Sequence, residues 1–153
     1  MTRSTIGLRI GEQCTGAVMA TKRTNDRRTY QGSCHCGRVR FKVQAHITAA
    51  LECNCSYCRR AGALWLGVAE KDLEILGGGE NLALYQFGTR TAQHYFCRHC
   101  GIAPFSRPRL DPTRWAANLR CLEDLDLSAL TLRRFDGDNW EQAAQAFQEQ
   151  APK

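Results

Sequence analysis

Val39, Phe41 and Val43 alternate with Arg38, Arg40 and Lys42, the period of a strand with one buried face. Leu64–Glu70 reads as another strand, and Leu73 and Ile75 alternate ahead of the turn Gly77-Gly78-Gly79. Leu82–Phe87 and Thr91–Phe96 predict two strands around Gly88-Thr89-Arg90, and Trp115–Cys121 and Leu130–Phe135 predict two more. One helix is expected to begin near Asp138. Asp138 would cap it, with Glu141 as the reciprocal partner, and Trp140, Ala144 and Phe147 would share its inner face. The pattern predicts a mainly β domain over residues 30–153, closed by a short C-terminal helix. Residues 1–29 lack periodicity and carry little to bury, so they are expected to form a loose extension.

The chain has 153 residues, 13 of them Gly, and a hydrophobic fraction of 43%. Such a chain makes one domain with a modest core and gains from cross-links. Its formal charge of +6 and pI of about 9.0 would suit a polyanion partner. That count treats every cysteine as a neutral thiol. Seven thiolates and two divalent ions remove seven charges and return four, leaving +3. Much of the remainder lies in the extension, where Arg3, Arg9, Lys22, Arg23, Arg27 and Arg28 face only Glu12 and Asp26. The charge does not support nucleic acid as a partner. Met1–Ala20 has no continuous apolar run, and no segment approaches the ~20 apolar residues of a membrane span. The expectation is a cytoplasmic protein with reduced thiols and no membrane partner.

The 9 cysteines carry the chemistry. Seven fall in three clusters: Cys34-His35-Cys36-Gly37, Cys53-Asn54-Cys55-Ser56-Tyr57-Cys58 and Cys97-Arg98-His99-Cys100-Gly101. Two cysteines so close can share one ion only if the backbone turns sharply between them, and a following glycine permits that turn. The first and third clusters both have it. Together they supply Cys34, Cys36, Cys97 and Cys100, a closed tetrahedral set of the kind that holds structural zinc. Spacing alone leaves other pairings open.

The second cluster has three cysteines and no evident fourth ligand. Three thiolates around Zn²⁺ carry a net charge of −1, a poor generator of hydroxide but a good seat for an exchanging sulfur. The competing readings are a second structural zinc completed by a distant side chain, and a redox pair within one cluster. Arg59 and Arg60 follow directly and could meet a substrate carboxylate, although ordinary surface arginines look the same. His35 and His99 are expected to point outward, His94 to be structural and Trp65 to belong to the core. Cys121 is expected to be a buried free thiol and Cys14 an exposed one.

The runs Gly32-Ser33-Cys34-His35-Cys36-Gly37, Cys53-x-Cys55-Ser56-x-Cys58-Arg59-Arg60 and Phe96-Cys97-x-x-Cys100-Gly101 resemble those of the glutathione-dependent formaldehyde-activating enzyme family, also called the centromere protein V/formaldehyde-activating domain. The resemblance covers about Tyr30 to Glu141. The segments Cys53-Asn54-Cys55-Ser56, Ala92-Gln93-His94-x-Phe96-Cys97 and Asp136-Gly137-x-x-Trp140-Glu141 look like its centromere protein V branch. It implies a β-tent of stacked antiparallel sheets and two Zn²⁺ per chain. It also implies structural zinc at Cys34, Cys36, Cys97 and Cys100, and catalytic zinc at Cys53, Cys55 and Cys58. The implied enzyme is a carbon–sulfur lyase that joins formaldehyde to glutathione as S-hydroxymethylglutathione. Cys55 is the cysteine expected to leave the metal and admit the substrate thiol. The alternative is a zinc-stabilised module that binds a protein and catalyses nothing.

Overall fold

The computed structural model describes residues 27–149. Cys14 and nearly all of the basic extension lie outside that range. The strands are β1 (Arg28–Ser33), β2 (Arg40–Ala45), β3 (Ala49–Cys53), β4 (Trp65–Val68), β5 (Leu73–Gly77), β6 (Leu82–Tyr85), β7 (Gln93–Cys97), β8 (Phe105–Arg107), β9 (Trp115–Asn118) and β10 (Thr131–Phe135). The helices are α1 (Cys58–Ala61) and α2 (Trp140–Glu149). A three-stranded sheet runs β1-β2-β5, and a seven-stranded sheet runs β10-β3-β4-β9-β8-β7-β6. The fold is mainly β, in two sheets, as expected.

The alternation in β2 works as read. Phe41 and Val43 are fully buried, while Arg40 and Gln44 face solvent. Phe41 of the small sheet meets Phe105 of the large one edge-on at 5.4 Å, and Phe105 meets Trp115 at 5.2 Å. This aromatic contact forms the centre of the core between the sheets. Gly32 permits it: a Cβ there would lie 2.5 Å from the Phe41 ring. The central strand β9 is buried along its whole length. Among the described residues no helix is long and apolar enough to cross a membrane.

Three features depart from the expected antiparallel stack. The edge strand β10 runs parallel to β3, pairing Phe135 with Cys53. Strands β1, β3 and β8 and the short helix α1 carry no periodic signal strong enough to read. Trp115–Cys121 also ends early as a strand: Asn118 closes it, and its side chain accepts from the Arg120 N–H at the start of a tight turn.

The helix start differs too. A single 3-10 turn, Gly137–Asn139, precedes α2, and Asp138 makes no cap. The Asp136 carboxylate instead accepts from the side chains of Asn139 and Asn54, each at 2.8 Å. Glu141 pairs with Arg109, which lies 3.7 Å over the Trp140 ring. Asn54, distant in sequence and invisible in the local pattern, accepts from the Asp138 N–H at 3.1 Å, and the expected capping box does not form. Ala144 is buried, and Phe147, though 40% exposed, packs edge-on against Phe135.

Candidate metal centres

The turn after β1 and the turn after β7 are built alike. The Cys34 N–H donates to the Val39 carbonyl at 3.0 Å, and the Cys97 N–H to that of Ile102 at 2.9 Å. The Gly37 N–H then returns to Cys34 and the Gly101 N–H to Cys97. Both glycines have left-handed φ, +73° and +76°, so the expected need for a permissive residue holds at both. The two turns bring the sulfurs of Cys34, Cys36, Cys97 and Cys100 within 4.8 Å of one another. Cys34 and Cys97 are fully buried.

Two of the sulfur–sulfur edges measure 3.6 Å and 3.7 Å. A tetrahedron of sulfurs about 2.3 Å from a central ion has edges of about 3.8 Å. A disulfide would need about 2.05 Å, and every described cysteine is a free thiol. The Val39 N–H points at the Cys34 sulfur from 3.3 Å, a donor that suits a thiolate. Burial acts to raise Cys100, but N–H donors from Ile102 and Cys36 draw it down to about 6. The set fits a four-coordinate thiophilic ion.

The second set is local. Cys53 ends β3, Cys55 sits in the following turn and Cys58 opens α1, and their sulfurs also lie within 4.8 Å of one another. No fourth His, Cys, Asp or Glu joins them among the described residues. The Cys58 N–H donates to the Cys55 sulfur at 3.4 Å, and the Trp65 indole N–H to the Cys58 sulfur at 3.3 Å. The S–H donors of Cys53 and Cys58 hold Cys55 far below the usual thiol range, and the same contacts raise those two partners. Such a set fits a divalent thiophilic ion with a corner to spare.

One side of the trio is covered by a segment distant in sequence. The backbone at Gly137 lies directly on it: a Cβ there would stand 2.6 Å from the Cys53 sulfur and 2.7 Å from Cys55 Cβ. Asn54 ties this lid down, donating to Asp136 at 2.8 Å and accepting from the Asp138 N–H at 3.1 Å. Its own N–H reaches the Phe135 carbonyl at 3.3 Å. On another side Tyr57 stacks on His94 at 3.8 Å, with Phe87 at 5.6 Å beyond it. His94 is buried with neither ring nitrogen partnered, and burial pushes its pKa down.

Among the remaining candidates, His35 and His99 are exposed and stand outside both sets, with His99 bonded to Asn81 at 2.9 Å. Cys121 is half-buried and free, and burial pushes it up to about 12. Trp65 is core, as expected, but its indole also serves the trio. Sequence reasoning missed that service, along with the parts played by Asn54 and Gly137. The Asp136-Gly137 pair stood in a quoted run, yet nothing local showed that it would sit against a cysteine more than eighty positions away.

Two facing sheets that meet at a four-sulfur set, with a three-sulfur set beside one of them, define a small β protein with two cysteine clusters that could each hold a metal ion. The chain belongs to the glutathione-dependent formaldehyde-activating enzyme family, whose sequence model matches residues 29–136. Over 82 residues it is 33% identical to a Halomonas elongata protein named "Putative glutathione-dependent formaldehyde-activating enzyme". That match takes in 48% of this chain and 52% of the relative, so the chain spans about half the length of the curated relative. A crystal structure of a Rhodobacter sphaeroides protein, a structural genomics target, is similar with a TM-score of 0.62 and 40% identity. The likeness covers 67% of this chain and 99% of that one.

Proposed function

We propose that the chain is a zinc-dependent carbon–sulfur lyase that makes and breaks the adduct of glutathione with formaldehyde. Cys34, Cys36, Cys97 and Cys100 would hold a structural ion, and Cys53, Cys55 and Cys58 a catalytic one. The observation that carries this reading is the three-sulfur trio with no fourth His, Cys, Asp or Glu beside it among the described residues. In the forward direction the glutathione sulfur forms a bond to the formaldehyde carbon, the carbonyl π pair moves to oxygen, and the thiol proton ends there as a hydroxyl. A bound Zn²⁺ would supply Lewis acidity that keeps the substrate sulfur a thiolate at neutral pH. The chain's part is to hold the trio in one geometry, through the Cys58 N–H, the Trp65 indole and the lid at Gly137. Cys55, which accepts the Cys58 N–H at 3.4 Å, is the sulfur assigned to yield its place.

The catalytic unit is assigned to residues 28–153, since β1 takes in Arg28 and Thr29, two residues ahead of the boundary expected from the sequence, with the preceding residues as an appendage. Free thiols as metal ligands suit a reducing compartment, and the cytoplasm is assigned on that ground.

The test uses the protein loaded with cobalt in place of zinc. Glutathione should change the absorption of the second site alone. Zinc-loaded protein should speed the exchange between free and adduct glutathione seen by NMR. Cys55→Ser should abolish that acceleration. Unchanged exchange in a Cys55→Ser protein that has lost its second metal would overturn the proposal.

A further inference from the structure

Two cavities flank α1, and they differ in chemistry. One, of about 590 Å³, has aromatic walls from Tyr57, Tyr85 and Phe87, and none of the metal-ligating sulfurs lines it. Its single cation, Arg60, is occupied by the Ser56 carbonyl at 2.6 Å. The other, of about 580 Å³, is lined by Cys53 and Cys58 of the trio and by Arg59, Arg120 and Arg134. Two carboxylates share that second wall, and both are engaged. Glu52 pairs with Arg134 at 3.6 Å, and Asp136 holds Asn54 and Asn139. Arg59 has only a long pairing with Asp138, at 3.9 Å. Arg120 has no ion-pair partner among the described residues. Its backbone is fixed by the Asn118 side chain at 3.1 Å, so the guanidinium is carried on an anchored turn.

Three thiolates and a divalent ion carry −1, and a substrate thiolate that takes the place of Cys55 keeps that negative charge at the ion. An anionic thiol would be repelled from such a site unless cations stand next to it. We propose that the cavity beside Cys53 and Cys58 is the subsite for the carboxylates of an anionic thiol peptide, with Arg120 as its principal receptor and Arg59 and Arg134 as the flanking charges. This rests on the function proposed above and deepens it: the arginines, not the sulfurs, select glutathione over a neutral thiol. A guanidinium suits the task because its fork takes a carboxylate through two parallel N–H donors. Arg134 contributes less, because binding must compete with Glu52.

The test compares two ligands with the same sulfur, glutathione and glutathione diethyl ester, whose carboxylates are masked. Each is titrated into the full chain carrying cobalt at both sites, and affinity is read from the absorption of the second site. The wild type should bind glutathione about tenfold or more tighter than the diester. Arg120→Gln should remove most of that preference while leaving the diester affinity and the metal content unchanged. Arg134→Gln should remove a smaller part. Tyr85→Ala, in the other cavity, should leave the preference intact. Equal binding of the two ligands by the wild type, or equal weakening of both by Arg120→Gln, overturns the subsite and leaves the thiol chemistry standing. If neither thiol alters the spectrum, the proposed function falls and the subsite with it.

Discussion

The two sulfur sets use one kind of residue for opposite ends. The four-sulfur set draws its ligands from turns that follow β1 in the small sheet and β7 in the large one, so an ion there cross-links the two sheets. The three-sulfur set takes all its ligands from one stretch of six residues, Cys53 to Cys58, and cross-links nothing. What it gains from afar is cover: the backbone at Gly137, the Asn54 tether and the Trp65 indole. Distance between ligands turns a metal into a staple; a short ligand span with borrowed cover leaves it a corner for chemistry. The sharpest way to break this contrast is to remove one sulfur from each. Cys97→Ser should leave no folded protein, because a structural zinc contributes roughly 10–16 kcal/mol in small peptides against a typical net stability of ~5–15 kcal/mol. Cys55→Ser should stay folded with one zinc. Circular dichroism and metal analysis of the two variants decide the matter, and a folded Cys97→Ser protein would erase the distinction.

Gly137→Ala probes the cover rather than the ligands. The added methyl cannot share space with the Cys53 sulfur, and overpacking of this kind costs about 1–3 kcal/mol. The expected result is a folded chain whose metal content drops from two to one, with the cross-linking ion retained. Two ions in this variant would mean that the lid moves aside cheaply.

His94→Phe tests the ring behind Tyr57. Native His94 resists protonation because it is buried, whereas in the unfolded chain it titrates near its ordinary value of ~6.5. The unfolded state therefore takes up a proton that the native state refuses. The contribution of His94 to stability is intact above about pH 6.5 and is lost as the pH falls through and below that value. A phenylalanine has no such proton and no orphaned nitrogens, whose burial costs about 1–3 kcal/mol. Thermal melts should show His94→Phe at least as stable as the wild type at about pH 7.5, with its advantage growing toward about pH 5.5. A gap that does not change with pH would show that the ring is protonated or partnered in the native state.

Asn54→Ala is the mildest change. It removes two exposed hydrogen bonds of the tether, each contributing about 0.5–1.5 kcal/mol. The melting temperature should fall by a few degrees. Under a competing chelator the second ion should leave sooner than in the wild type, while loss of the first is unaltered.

What the sequence makes legible follows the physics of range. The alternation of Val39, Phe41 and Val43 is a local signal, and β2 forms where it says. The tight cysteine turns with their glycines are local too, but spacing left other pairings open, and it was the family resemblance that implied the two sets. Strand β3 is hidden because its stretch, Ala49–Cys53, ends in a metal ligand and has no clean alternation. The four exposed residues that open β10 gave no hint that it would lie parallel to β3. Asp138 had the composition of a helix cap but makes none, and its backbone N–H is instead held by Asn54, 84 residues away in sequence. The unpaired ring of His94 depends on what packs around it, and no window of sequence carries that.

Parallel pairing of the edge strand has one further outcome, in the order of events at the ribosome. Every sulfur of the four-membered set has been translated by Gly101, but the cover over Cys53 and Cys55 arrives only with Phe135 to Asp138. A nascent chain can thus bring the four-sulfur set together while the three-sulfur set still lies bare, and that set gains its cover among the last steps of synthesis.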